Sequence, residues 1–141
     1  MKIGILLPYK ENFSPEYPGA VSLFVYETSK SSKFKKHITV YGNTKYKKKF
    51  PIKYQNIELK KNFISSQTKN YVKKFLKIEK SNNSSIIEIH NRPSYVNYLV
   101  NNLGKRVYTL YFHNDPLSMD GSKSISERKN LLRQCYKIIF N

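Results

Sequence analysis

Apolar and polar positions along this chain fall into short hydrophobic runs separated by stretches of helical period. Lys2 to Pro8, KIGILLP, has an unbroken apolar centre and stops at proline, as a strand buried on both faces does. Tyr9 to Gly19 is rich in Pro, Asn and Ser and reads as loop. From Ala20, residues Val21, Phe24, Val25 and Thr28 recur at the i, i+3, i+4, i+7 spacing of one helix face, and the pattern runs out at Ser31-Ser32. His37 to Gly42, HITVYG, is a second strand and Tyr54 to Leu59, YQNIEL, a weaker third, with the Lys45 to Lys49 run between them as a solvated loop. Ser65 to Lys80 carries Tyr71, Val72, Phe75, Leu76 and Ile78 on one side and lysines on the other, which predicts an amphipathic helix long enough for a crossover.

Two later runs end alike. Ser85 to Pro93, SIIEIHNRP, and Val107 to Pro116, VYTLYFHNDP, each pass from β-branched and aromatic residues into His-Asn and a proline. Pro93 suits the first turn of a short helix to Asn102, closed by Leu103-Gly104, because the N–H it lacks would have had no partner there. Residues 105 to 112 make a fifth strand, and a polar stretch follows from Asn114 to Lys123. Ser124 and Glu127 have the spacing of a capping box, ahead of Arg128, Leu131, Leu132 and Cys135 at helical spacing. Lys137 to Asn141, KIIFN, reads as a sixth strand with no covering helix after it, which suggests a larger protein cut at this point.

This order predicts an α/β fold: a three-layer, Rossmann-like doubly wound parallel sheet of about six strands, forming one domain over residues 1–141. Such a sheet binds ligands beyond the carboxyl ends of its strands, at the switch between the first strand and the fourth. The Gly19 loop and His90 are then expected to flank one crevice, with His113 facing it from one strand further out.

Charge adds a question rather than an answer. The formal net charge is +17, and residues 30 to 80 hold 16 Lys against Glu58 and Glu79. Such a block attracts polyanions: nucleic acid, an anionic membrane surface or a phosphorylated substrate. Only four of the 26 basic residues are Arg (Arg92, Arg106, Arg128, Arg133). That shortage, with no interleaved aromatic stacking motif, counts against nucleic acid. Lys, Asn, Ile, Tyr and Phe also have codons rich in A and T, so a biased genome with only water and counter-ions around the lysines is the competing reading. No apolar stretch approaches the roughly 18–20 residues of a membrane span, and Met1 to Leu7 is too short for a signal peptide, so a cytoplasmic protein is expected, or one peripheral at the inner membrane face. The single Cys135 reads as a small buried hydrophobe.

Familiar motifs are missing. There is no dinucleotide fingerprint, no phosphate loop of the NTPases and no nucleophile elbow, and three His without a carboxylate or Cys at ligand spacing predict no metal site and no cofactor. Pro18-Gly19-Ala20 at a helix start is left as a candidate phosphate cradle, since glycine admits close backbone approach and a helix amino terminus favours anions.

Taken together, KIGILLP with the EYPGAVSLFVYE loop and helix, IIEIHNRP, and LYFHNDPLSMDGSKSISERKNLL ahead of KIIFN resemble the amino-terminal domain of the family 4 glycosyltransferases, which have the two-domain GT-B architecture. The resemblance covers nearly the whole chain and is weakest from residue 43 to 80. It implies sugar transfer from a nucleotide-sugar donor to a glycan or glycolipid acceptor, with retention and without a bound metal, as in lipopolysaccharide and other surface-glycan synthesis. It puts Gly19 in the loop that closes on donor phosphates and acceptor, with Ala20 where a second glycine is usual. It makes His113 the histidine that contacts the donor sugar near the reacting carbon, and His90, Asn91 and Arg92 acceptor contacts. Asn114 and Asp115 shape the same loop, and Ser118 to Lys123, with Ser122 and Lys123, matches a loop at the interdomain cleft. The family's paired glutamates and diphosphate-facing basic residues belong to a carboxyl-terminal domain absent from these 141 residues, so this chain alone is expected to be inactive. The alternative is a non-enzymatic basic module that binds nucleic acid or another polyanion.

Overall fold

In the computed structural model, which describes residues 1–59 and 66–141, the strands are β1 (Ile3–Leu6), β2 (Ile38–Gly42), β3 (Tyr54–Asn56), β4 (Ile86–His90), β5 (Val107–Phe112) and β6 (Lys137–Phe140). They form one parallel sheet in the order β3-β2-β1-β4-β5-β6. The helices are α1 (Ala20–Ser31), α2 (Gln67–Asn82), α3 (Pro93–Leu103) and α4 (Ile125–Gln134). This is the doubly wound α/β arrangement expected from the alternation of runs, with its switch between β1 and β4. The expected helix start at Ser65 lies outside the described residues; the helix is in place from Gln67.

Strand alternation sorts the core into two layers. Leu6, Tyr41, Ile87, Ile89, Tyr108, Leu110 and Phe112 face one side, where Tyr71 and Phe75 of α2, Val96 and Leu99 of α3 and Leu131 of α4 cover them. Ile5, Leu7, Ile38 and Val40 face the other, under Val21 and Val25 of α1 together with Phe13, Phe50 and Ile52 from loops. Each such side chain, once fully buried, contributes about 1.5–3 kcal/mol.

Local signals end the helices as expected. Asn83, in left-handed conformation at φ 52°, closes α2, Gly104 at φ 72° closes α3, and Pro93 opens α3. Ser124 and Glu127 make both hydrogen bonds of the capping box at the start of α4. Three expectations need correction. The buried stripe of α1 is Val21, Ser22, Val25 and Ser29, with Phe24 half-buried and Thr28 exposed. Two of the four buried positions are thus serines, and the Thr28 hydroxyl turns back to the Phe24 carbonyl at 2.8 Å. Leu132 is exposed, because α4 touches the core through Leu131 alone. Cys135 is half-buried beside the core rather than within it, and burial pushes its thiol up to about 11.

Candidate active site at the carboxyl ends of β1, β4 and β5

The chain leaves β1 through a loop in which Glu11 folds back onto the start of α1. Its Oε1 accepts the Ser22 amide N–H at 3.0 Å. A carboxylate there answers the unpaired N–H groups and the partial positive charge of the helix end. Gly19 is the residue before the first turn, in ordinary extended conformation at φ −77°. A Cβ on it would lie 1.8 Å from Glu11 Oε1. In this state, therefore, an internal carboxylate and not an outside anion fills the space that the glycine leaves. Ala20 follows it, exposed.

The two His-Asn endings lie side by side, because β4 and β5 pair with His90 opposite Tyr111. Alternation sends Ile87 and Ile89 into the α2 and α3 layer and hence Glu88 and His90 to the α1 side of the sheet. His90 is wholly buried there; its Nε2 is 2.8 Å from Glu88 Oε1 and its Nδ1 is 2.9 Å from His113 Nε2. His113 Nδ1 is 3.3 Å from the side-chain amide of Asn141, just past β6. Tyr111 stacks on His90 at 4.7 Å, and Phe24 of α1 meets His113 edge-on at 5.0 Å. Burial holds the His113 imidazole below its ordinary range, neighbouring His90 pushes the same way, and Glu88 opposes them. The half-buried His113 thus stays neutral to lower pH than a free histidine.

Asn91 clasps the two endings together. It is buried and left-handed at φ 55°, a conformation asparagine tolerates. Its N–H donates to the Tyr111 carbonyl at 2.8 Å, its Oδ1 accepts the His113 N–H at 3.1 Å, and its Nδ2 donates to Asn114 Oδ1 at 3.0 Å. Arg92, half-buried before α3, donates to the Asn91 carbonyl at 2.7 Å. Asp115 caps a single 3-10 turn by accepting the Leu117 N–H. Ser122 is fully buried, its hydroxyl donating to the Pro116 carbonyl, so it holds the loop's shape and faces away from solvent. Lys123 is exposed and paired with Asp120 at 2.6 Å.

The fold therefore brings Gly19, His90, Asn91, Arg92, His113 and Asn114 to one rim, while Ser122 turns into its own loop and Lys123 toward Asp120. No protein-family model matches the chain, and no curated protein matches it. Its site is accordingly read from geometry. Sequence reasoning missed Glu11, Glu88, Phe24, Tyr111 and Asn141. Glu88 carries a legible signal, since a residue two before His90 on a strand shares its face. Glu11 and Asn141 carry none, because their partners are 11 and 28 residues away.

Two open clefts of about 550 Å³ each flank this rim. One lies between the amino-terminal turns of α2 and α3, lined by Lys69, Lys73, Ser94, Tyr95 and Tyr98 among others. The second lies against Tyr9, Lys10, Asn12, Asn43 and Tyr46. Among the described residues no three His, Cys, Asp or Glu side chains are grouped to hold a metal ion, and no helix is long and apolar enough to cross a membrane.

Proposed function

We propose that this chain is the acceptor-side domain of a retaining glycosyltransferase of the family 4 kind, acting on a nucleotide-sugar donor and a glycan or glycolipid acceptor. The observation that carries the reading is the meeting of both motif regions at one switch point: Phe24, in the helix that Gly19 opens, lies 5.0 Å from His113. On this reading the imidazole of His113 orients the donor sugar, and the leaving diphosphate is stabilised from a second domain. The 141-residue chain alone should then turn over no donor. A protein joining it to that second domain should transfer sugar from a uridine- or guanosine-diphosphate sugar with net retention, and His113→Ala should slow it by about a hundredfold or more. Transfer undiminished by His113→Ala, or none from any nucleotide-sugar, sinks the reading.

The lysines support an anionic partner for the same domain. Lys69, Lys73, Lys77 and Lys80 form one exposed stripe along α2, whereas Glu79, the helix's one acid, is turned into the core. A stripe of one sign suits the surface of an anionic membrane that carries a glycolipid acceptor. Vesicles containing an anionic phospholipid should bind the chain and neutral phosphatidylcholine vesicles should not. Changing Lys73, Lys77 and Lys80 to Gln should weaken binding on the order of a hundredfold, at about 1 kcal/mol per charge. Equal binding to both vesicles refutes the membrane contact. Tighter, salt-sensitive binding to generic DNA or RNA, unaffected by changes at His113 and Gly19, would instead favour the polyanion-binding module.

A further inference from the structure

The contacts around the two imidazoles determine where their protons sit. A carboxylate only accepts, so the 2.8 Å contact to Glu88 requires the proton on His90 Nε2. Neutral His90 then has a lone pair on Nδ1, and the 2.9 Å contact to His113 must be donated by His113 Nε2–H. That leaves the lone pair of His113 on Nδ1, where the Asn141 amide approaches as a donor at 3.3 Å. Each contact in the row has one donor and one acceptor. The reverse order, with His90 neutral, would set the bare Nε2 of His90 against the Glu88 carboxylate, acceptor against acceptor, and would require the exposed Asn141 amide to turn its oxygen toward a His113 Nδ1–H. Protonating both rings would set donor against donor between the imidazoles.

We propose that Glu88, acting through buried His90, fixes His113 as the Nε2–H tautomer, so that its outer nitrogen Nδ1 is an acceptor that takes a neutral hydroxyl of the substrate and not a phosphate oxygen. Glu88 and His90 are then positioning residues, and Asn141 holds the place of the hydroxyl donor until substrate arrives. The groups around His113 fit this assignment. Glu88 and His90 come from β4, Tyr111 from β5, Phe24 from α1 and Asn141 from beyond β6, and Glu88 is the one carboxylate among them. A phosphate oxygen would need a donor at Nδ1. It would meet a lone pair there, with a carboxylate behind it.

What Nδ1 meets rests on reading His113 as a sugar contact; the tautomer does not, and it can be measured without substrate or turnover. Long-range proton–nitrogen correlation spectra of the ¹⁵N-labelled chain distinguish protonated from bare ring nitrogens, with exposed His37 as the internal reference. At pH 7.5 the wild-type chain should report Nε2–H for both His90 and His113. Glu88→Gln can offer an amide N–H to His90 and release the order, so a substantial fraction of His113 should move to Nδ1–H. A wild-type His113 already carrying Nδ1–H overturns the proposal outright. So does a folded Glu88→Gln chain in which His113 keeps the Nε2–H form.

Discussion

Replacing Arg106 by alanine is expected to cost the fold about 3–5 kcal/mol, because it strands a carboxylate inside the sheet's lower edge. The Glu79 side chain has no exposed surface and that of Arg106 has 8%. Glu79 Oε1 accepts from Arg106 Nη1 at 3.0 Å and from the Ser84 amide, and the same guanidinium nitrogen donates to the Ser84 carbonyl at 2.7 Å. One ion pair thus ties the end of α2, the turn into β4 and the turn into β5. The Tyr41 hydroxyl, pushed up to about 12 by burial and then by the Glu79 charge, lies in the same cluster and accepts from Asn82 at 2.6 Å. With Arg106 gone the carboxylate keeps only the Ser84 amide and the Tyr41 hydroxyl as donors, both weaker than a guanidinium and neither able to neutralise its charge. Urea unfolding should lose roughly 2 M in midpoint. Changing Glu79 and Arg106 together to Leu and Met should recover most of it, as paired charges exchanged for apolar groups of similar size often do. A loss below about 1 kcal/mol in Arg106→Ala would mean that the pair is far better hydrated than its burial indicates.

Gly121→Ala is the second large effect, about 2–5 kcal/mol, and its cause is backbone rather than charge. Gly121 lies at φ 96°, and a Cβ there would come within 2.5 Å of the Ser94 backbone nitrogen and 2.7 Å of its Cα. Neither α3 nor the loop can yield without moving the other. Gly19→Ala is the contrast. Its φ is ordinary, and the atoms its methyl would strike are the tip of the Glu11 side chain, which can swing away and forfeit only its cap, about 0.5–2 kcal/mol. Thermal unfolding of the two variants should rank them in that order. Equal losses, or a Gly121→Ala protein as stable as wild type, would show that the loop after β5 is not braced on α3. Because that loop leads directly from His113, Gly121→Ala should also disturb the imidazole signals, while Gly19→Ala should leave them close to wild type.

Much of this architecture was legible before any coordinates. Buried parallel strands are nearly continuous apolar runs, so β1, β2, β4 and β5 announced themselves, and Pro93, Gly104 and the Ser124-Glu127 box marked helix ends by local chemistry that needs no tertiary partner. Helices on both faces of a parallel sheet put the switch between the first strand and the fourth, and with it Gly19, His90 and His113 at one crevice. The errors came where a side chain's fate depends on a neighbour remote in sequence. Periodicity put Thr28 and Leu132 on buried faces, but how far a helix rolls is decided by the volumes beneath it, and α1 buries Ser22 and Ser29 in place of Thr28. Likewise Ser122 resembled a cleft residue by motif, and its hydroxyl proved to be the loop's own internal bond.

By itself, then, the sequence determined an α/β parallel sheet, the place of its switch and the gathering of the His-Asn endings beside the start of α1, because those follow from hydrophobic period, local caps and chirality. Only the tertiary structure decided what the polar groups do there. It set Glu11 in the space left by Gly19, directed the row from Glu88 through His90 to His113, and buried Glu79 against Arg106. Hydrogen bonds and ion pairs form between atoms a few ångströms apart, and the residues that supply them here are separated by 2 to 28 positions. Beyond alternate residues of one strand, such as Glu88 and His90, spacing along a chain does not encode such distances; the packing of the sheet does.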